Sequence, residues 1–261
     1  MRSPRSPGWT IFGVLSVVFM LSPLVLVVLM SFGSNEHATF PLGSLTLDWY
    51  RTLLSKPDFY VAASNSVTIT AWVGGLSLVI GTAAAFALAQ LRSGTVNLGL
   101  AVLLLPLMLP PLVLALALAT SFSALGMRLG VITVILSQLV FTQPFVIIIV
   151  HARMRAFPVQ LLESARDLGA GPVRIFFTVT LPVIRSSLIG AALIAMALSL
   201  DDFIITYFVS GSTVTYPLYV NAAVKAAVPP QINVLATAIL VVSLVLLALG
   251  TLYRRKRIDV S

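Results

Sequence analysis

The chain of 261 residues is 59% apolar and 9% charged, with a mean hydropathy of +1.05; soluble domains carry about 25% charged residues, so this one belongs in a bilayer. Its net charge of +8 does not indicate nucleic acid, because that reading needs a basic patch on a soluble face and the charge here is distributed by topology. Cysteine is absent, which excludes disulfides and thiolate metal sites, and the two histidines, His37 and His151, are too few and too far apart in sequence for a metal centre.

Six apolar stretches are long enough to cross roughly 30 Å of hydrocarbon at about 20 residues each: about 9–32, 61–91, 97–122, 130–151, 184–209 and 232–253. The runs are continuous and lack the period-two alternation of a barrel strand, so they predict helices. The expected fold is an all-α polytopic membrane protein, a single transmembrane domain over residues 1–261. Arg2 and Arg5 precede the first run, but its long apolar core lacks a small-x-small cleavage site, so it reads as an uncleaved span. The loop that follows, Gly33 to Tyr60, mixes Glu36, Asp48 and Asp58 with Trp49 and Tyr50. It reads as a strap over the outer helix ends, with the two aromatic residues as membrane-interface anchors. Ser64, Asn65 and Ser66 are expected to cap the second span.

The third span carries Pro106, Pro110 and Pro111, and a tandem pair of prolines is expected to kink or unwind it. Broken backbone at membrane depth is tolerated against protein or a water-filled cavity, so this span is either a pathway wall or a static kink. Pro144 repeats the pattern in the fourth span beside Gln138, Thr142 and Gln143, neutral groups that either hydrogen-bond a polar solute or bridge helices.

Between the fourth and fifth spans, residues 153–182 form a polar, helix-punctuated element. Pro158 suits a first helical turn and Gly169 a left-handed cap. Leu161, Leu162, Ala165 and Leu168 share one face, with Gln160, Glu163 and Asp167 on another. After the Ala170-Gly171 turn, Pro172 opens a second helix, which Pro182 is expected to interrupt before the fifth span. Amphipathicity alone fits a helix lying on the inner leaflet, anchored by Arg153, Arg155, Arg166 and Arg174.

Asp201 and Asp202 lie inside the fifth span. A carboxylate at mid-bilayer costs roughly 2.5–3.5 kcal/mol on insertion scales, so the pair is either a polar helix break with interior hydrogen bonds or a site facing a cationic solute. Neighbouring helix residues are about 100° apart, so at most one points straight into a pathway. Six spans put both termini on one side. With the termini inside, Arg2, Arg5, Arg92, Arg153, Arg155, Arg166, Arg174, Arg185, Arg254, Arg255, Lys256 and Arg257 are inner, against Arg51, Lys56, Arg128 and Lys225 outside: 12 and 4 of the 16 basic residues. The basic bias therefore predicts cytoplasmic termini.

Glu163, Ser164, Ala165, Gly169, Val179, Leu181 and Pro182 follow the pattern Glu-small-Ala, three residues, Gly, nine residues, aliphatic-x-Leu-Pro. In this the chain resembles the permease subunits of binding-protein-dependent ABC importers, with Ser164 for the usual Ala and Val179 for the usual Ile. From about Asn65 to Leu246, and most clearly in FTQPFVIIIVHARM (141–154), Ser199–Gly211 and Val228–Leu246, it is similar to the spermidine/putrescine branch. The resemblance implies a type I importer (MetI-like) fold in a bacterial inner membrane. It also implies a coupling helix, at Glu163, Ala165, Arg166, Leu168 and Gly169, that docks on a cytosolic ATPase. The partners implied are a second homologous permease, two ATPase subunits, an extracytoplasmic solute-binding protein and membrane lipid. A substrate pathway for a polyamine would involve Asp201, Asp202, Pro110, Pro111 and Gln143. No cofactor is expected in the chain, since no G-x-x-x-x-G-K-[ST] loop is present and ATP is used by a separate subunit. The alternatives are a sister permease for ferric iron, thiosulfate or aminophosphonate, and an ion-coupled secondary transporter using the acids as a relay. No nucleophile–base constellation suggests an enzyme.

Overall fold

Hydrocarbon offers no water to the peptide groups of a long apolar run, so each run closes its own hydrogen bonds as a helix. The computed structural model describes residues 7–35, 43–91, 93–225, 231–242 and 244–245. In chain order these form α1 (Pro7–Ser31), α2 (Asp48–Leu54), α3 (Pro57–Ala89), α4 (Ser93–Met108), α5 (Pro111–Ala124), α6 (Val131–Arg155), α7 (Val159–Asp167), α8 (Pro172–Ile175), a π turn (Phe176–Thr180), α9 (Leu181–Asp201), α10 (Ile204–Val209), α11 (Tyr216–Lys225) and α12 (Gln231–Val242). Most of α1, all of α3 and α6, and the continuous helix Pro172–Asp201 are long and apolar enough to cross a membrane; α4 and α5 are a pair bent by 97°. The latter part of the sixth apolar run, Glu36, His37, Arg2, Arg5, Arg92 and the basic residues Arg254–Arg257 lie outside the described residues.

The described residues fall into two units, one comprising the chain up to Tyr60 with Val220–Val245 and the other Val61–Tyr219. In the first, the apolar length of α1 is exposed and only its end is tied down. The Ser31 hydroxyl lies 2.7 Å from that of Tyr50, Phe32 stacks on Tyr50 at 5.3 Å, and the Trp49 indole N–H donates to the Gly33 carbonyl at 2.9 Å. The two aromatic residues expected as interface anchors therefore hold the strap to the end of α1. Across the same junction Gly33 pairs with Leu45 in an isolated antiparallel bridge. Elsewhere in this unit Lys56, between α2 and α3, donates from Nζ to Oε1 of Gln231 at the start of α12, at 2.8 Å.

The second unit has two apolar clusters. One gathers Ile69 and Val73 of α3, Leu114, Ala115 and Phe122 of α5, Val134 and Leu139 of α6, and Ile205 and Val209 of α10. The other joins Ala85 of α3, Val146 and Val150 of α6, Phe157, and Ile184, Leu188, Ala191 and Ala195 of α9. Lipid is as apolar as a leucine side chain, so burying apolar surface does not by itself bring such helices together; close packing and interhelical hydrogen bonds do. The buried face of α3 accordingly carries many small residues, Ala62, Ser66, Thr70, Gly74, Ser77, Gly81 and Ala85, beside the larger Ile69, Val73 and Leu88. Ser77 and Thr142 hydroxyls meet at 2.9 Å between α3 and α6.

Ser64, Asn65 and Ser66 do not cap this helix, because it begins earlier, at Pro57. Proline and Asp58 supply the start signal. The Ser64 hydroxyl instead bonds the Val61 carbonyl at 2.9 Å. Asn65 donates to the Val214 carbonyl at 2.9 Å, and Ser66 accepts the Tyr216 N–H at 2.8 Å, fixing the segment that leads into α11.

A Cβ at Gly81 would lie 2.5 Å from Val146 Cγ1, whereas one at Gly75 would meet nothing within 4 Å. Gly81→Leu is therefore expected to destabilise the detergent-purified protein by about 1–3 kcal/mol, the usual cost of overpacking. Thermal unfolding should show the loss, with Gly75→Leu unfolding at the parental temperature.

Candidate functional site

The element between α6 and α9 is built by local signals. Pro158 sits at the N-cap, one residue before α7 rather than in its first turn. At the other end Gly169 takes φ +77°, a conformation that costs an L side chain roughly 1–2 kcal/mol. Gly169 N–H donates to the Arg166 carbonyl at 2.8 Å and Ala170 N–H to the Ala165 carbonyl at 3.0 Å, the paired bonds of a Schellman turn. Of the face expected to be apolar, Leu162 and Ala165 are half-buried while Leu161 and Leu168 are exposed, Leu168 to 88%. Leu162 packs against the cluster of Phe157, Val150 and Ile184, and so it is the attachment of α7 to the bundle. Glu163, Arg166 and Leu168 all stand outward beside Gly169, where a Cβ would meet nothing within 4 Å.

Pro182 does not interrupt the return helix, which runs unbroken from Pro172 to Asp201. A proline inside a helix lacks the N–H for its i−4 carbonyl and its ring collides with that group. Here Phe176–Thr180, ending one residue before Leu181-Pro182, are wound as a π turn, a widening that absorbs such a conflict without ending the helix. One rod thus joins the turn at Gly169 to the acid pair.

The rod stops at Asp201, and the fifth apolar run, expected to be one helix, resumes as α10 at Ile204. Asp202 makes the break possible. Its carboxylate accepts the Thr206 N–H at 3.0 Å, the Ile205 N–H at 3.3 Å and the Thr206 hydroxyl at 2.8 Å, satisfying the first amides of α10. Gln138 of α6 completes the network: Nε2 donates to Thr206 Oγ1 at 2.9 Å, and Oε1 accepts from Ser199 Oγ at 2.5 Å. Thr70 of α3 lies 3.3 Å from the Ser199 hydroxyl. Asp201, by contrast, is exposed, and its carboxylate has no hydrogen-bond or ion-pair partner among the described residues.

The structure therefore separates residues that the sequence grouped. Asp202 meets Gln138, and Gln143, five residues along α6, is elsewhere: Gln143 Oε1 would lie 3.0 Å from a Cβ on Gly81, and both its amide atoms are buried without a partner. Pro110 and Pro111 are exposed at the α4–α5 bend, with Pro110 extended as the N-cap of α5. Further along α5, Leu114 and Ala115 share an apolar cluster with Ile205 and Val209 of α10. Ser199, Thr206 and Thr70 were not singled out, because a hydroxyl in an apolar run bonds its own helix as readily as a neighbour.

Residues 77–256 match the family model described as binding-protein-dependent transport system inner membrane component. The chain is similar to the putrescine transport system permease protein PotI of Escherichia coli strain K12, at 34% identity over 244 residues, 90% of this chain and 86% of that one. The spermidine/putrescine transport system permease protein PotC of the same strain is 31% identical over 240 residues, covering 92% and 90%. PotC of Haemophilus influenzae is 31% identical over 239 residues, covering 91% and 93%. Among solved structures, a bacterial ABC transporter that imports the acidic polysaccharide alginate superposes with a TM-score of 0.71 at 19% identity, over 95% of this chain and 96% of that one. The inward-facing MetNI methionine ABC transporter gives 0.65 at 17%, over 81% and 99%. The fold is that of the type I ABC importer permeases.

The two glutamines carry opposite expectations for stability. Gln138→Leu removes the bridge from α6 and leaves Ser199 and Thr206 short of partners, so it is expected to cost about 1–3 kcal/mol. Gln143→Leu removes an amide that is already unsatisfied and is expected to be neutral or stabilising. Thermal unfolding of the purified variants measures both.

Proposed function

We propose, for a chain that belongs to the family of binding-protein-dependent transport system inner membrane components, that it is the permease subunit of an ATP-driven importer of putrescine or spermidine. The observation that carries the substrate class is Asp201, an exposed carboxylate in an apolar run that no cation among the described residues neutralises. A carboxylate so placed favours a cation, and an ammonium group pairs with it by a charge-assisted hydrogen bond. The putrescine and spermidine/putrescine permeases among the relatives support an organic polycation.

In this reading Asp201 meets the solute while Asp202 keeps the backbone open beside it. The bent α4–α5 junction at Pro110 and Pro111 and the unsatisfied amide of Gln143 belong to the pathway wall. A second, homologous permease supplies the opposite wall, and an extracytoplasmic binding protein delivers the solute. The termini and α7 face the cytosol, in accord with the basic residues of the α6–α9 end. There α7, with Glu163, Ala165, Arg166, Leu168 and Gly169, docks on one of two ATPase subunits. Closure of the ATPases displaces α7, and the rod Pro172–Asp201 conveys that displacement to the acid site. The chain itself needs no bound cofactor, because the ATP is hydrolysed by the partner.

Uptake of labelled putrescine and spermidine tests the reading in cells lacking their own polyamine importers. The cells express the chain with its neighbouring transporter genes, with or without the ATPase. Saturable uptake that disappears without the ATPase is expected; uptake that persists without it would instead favour ion coupling. Asp201→Asn should lower uptake roughly tenfold to hundredfold, the worth of one hydrogen bond to a charge, while unfolding at the parental temperature. Asp202→Asn should lower the unfolding temperature as well. Gly169→Asp should leave the protein in the membrane yet abolish ATP-driven uptake; normal uptake in that variant would remove α7 from the coupling role.

A further inference from the structure

The short helix α10 has two unlike sides. Ile205, Thr206 and Val209 are buried, whereas Tyr207 is 51% exposed, Ile204 41% exposed and Phe203, just before the helix, half-buried. Asp202 has extended backbone, with ψ 110°, so Phe203 leaves the chain on the side opposite to Asp202. The Asp202 carboxylate is held inward by Thr206 and Gln138, and neither neighbour follows it, since Asp201 is exposed. Two peptide steps separate Asp201 from Phe203, so their Cα atoms are at most about 7 Å apart. One helical turn further, about 6 Å along the axis, Tyr207 meets Phe203 with ring centroids 5.6 Å apart and planes inclined at 43°. Covalent geometry and a ring contact thus bring one carboxylate and two aromatic rings into a row.

A single carboxylate neutralises one end of a linear diamine and leaves the other ammonium to find a partner. Asp202 does not supply it, because its oxygens already accept two backbone amides and a hydroxyl. The remaining acids among the described residues are Asp48, Asp58, Glu163 and Asp167, none of them within an apolar run. Aromatic rings serve instead: a ring face attracts an ammonium group, and its apolar area covers methylenes. The row is extended along α10, which suits a chain with a charge at each end better than a compact cation.

We propose that Phe203 and Tyr207 form a second subsite beside Asp201, holding the methylene chain and distal ammonium of a linear diamine while Asp201 holds the proximal one. The proposal rests on the polyamine reading above and adds to it the residues that distinguish a diamine from a monoamine. Tyr207, the more exposed ring, makes the larger contribution.

The test is equilibrium dialysis of labelled putrescine and labelled n-butylamine against the assembled transporter in nanodiscs, without the binding protein. Tyr207→Leu is expected to weaken putrescine retention about threefold to thirtyfold, the range of a cation–π contact, and butylamine retention less than about twofold. Tyr207→Phe keeps the ring face and should stay near the parent, while Asp201→Asn should weaken both amines. Unchanged putrescine retention in Tyr207→Leu would overturn the subsite and leave the polyamine reading standing. An equal loss of both amines in that variant would also overturn it, because a ring that only packs does not discriminate between them. A parental transporter that retains neither amine would overturn the polyamine reading and the subsite with it.

Discussion

A chain that leaves the helix at membrane depth must find partners for the amides it frees, because the bilayer supplies none. In the fifth apolar run Asp202 meets that demand from within, accepting the N–H groups of Ile205 and Thr206. Gln138 then locks the break to α6 by bonding Thr206 and Ser199 together. Everything the acid pair can do follows from this arrangement. With Asp202 committed to the backbone, its neighbour Asp201, the last residue of α9, is left exposed.

The same principle of local satisfaction explains how two distant features are mechanically joined. Proline at position 182 would ordinarily divide the helix, leaving the Gly169 turn and the acid pair on separate pieces. The π turn at Phe176–Thr180 keeps the helix continuous, and Phe86 of α3 packs edge-on against Phe176 at 5.3 Å. A helical rod of 30 residues therefore begins beside the Gly169 turn and ends at Asp201. Leu162 and Phe157 root α7 in the same apolar cluster as the first half of that rod, so a push on α7 is passed to packed side chains rather than lost in a loop. The coupling mechanism proposed here needs no other connection.

Much of this was legible in the residues and some of it was not. Gly169, Pro158 and Pro172 act on their own backbone, so the turn that ends α7 could be placed to within a residue. The tandem prolines at 110 and 111 likewise announce the bend between α4 and α5. Pro182 misled, because a π turn upstream is invisible to a rule that treats proline as a stop. Ser64, Asn65 and Ser66 misled in the other direction: polar residues at the edge of an apolar run look like caps, yet they lie inside α3, where Asn65 and Ser66 bond residues about 150 positions away.

The sequence by itself determined the helical class, the coarse positions of the apolar runs and the turn at Gly169. Each of these depends on hydropathy or on the backbone of a few adjacent residues. Only the tertiary structure decided which carboxylate is occupied, which glutamine bridges and where the small face of α3 points. In a soluble helix a polar face would have revealed the buried one, but here lipid and core are equally apolar and the periodicity vanishes. The contacts that settle the matter join residues far apart in the chain, Gln138 with Ser199 and Ser77 with Thr142, and no local pattern encodes how two such helices are rotated against each other.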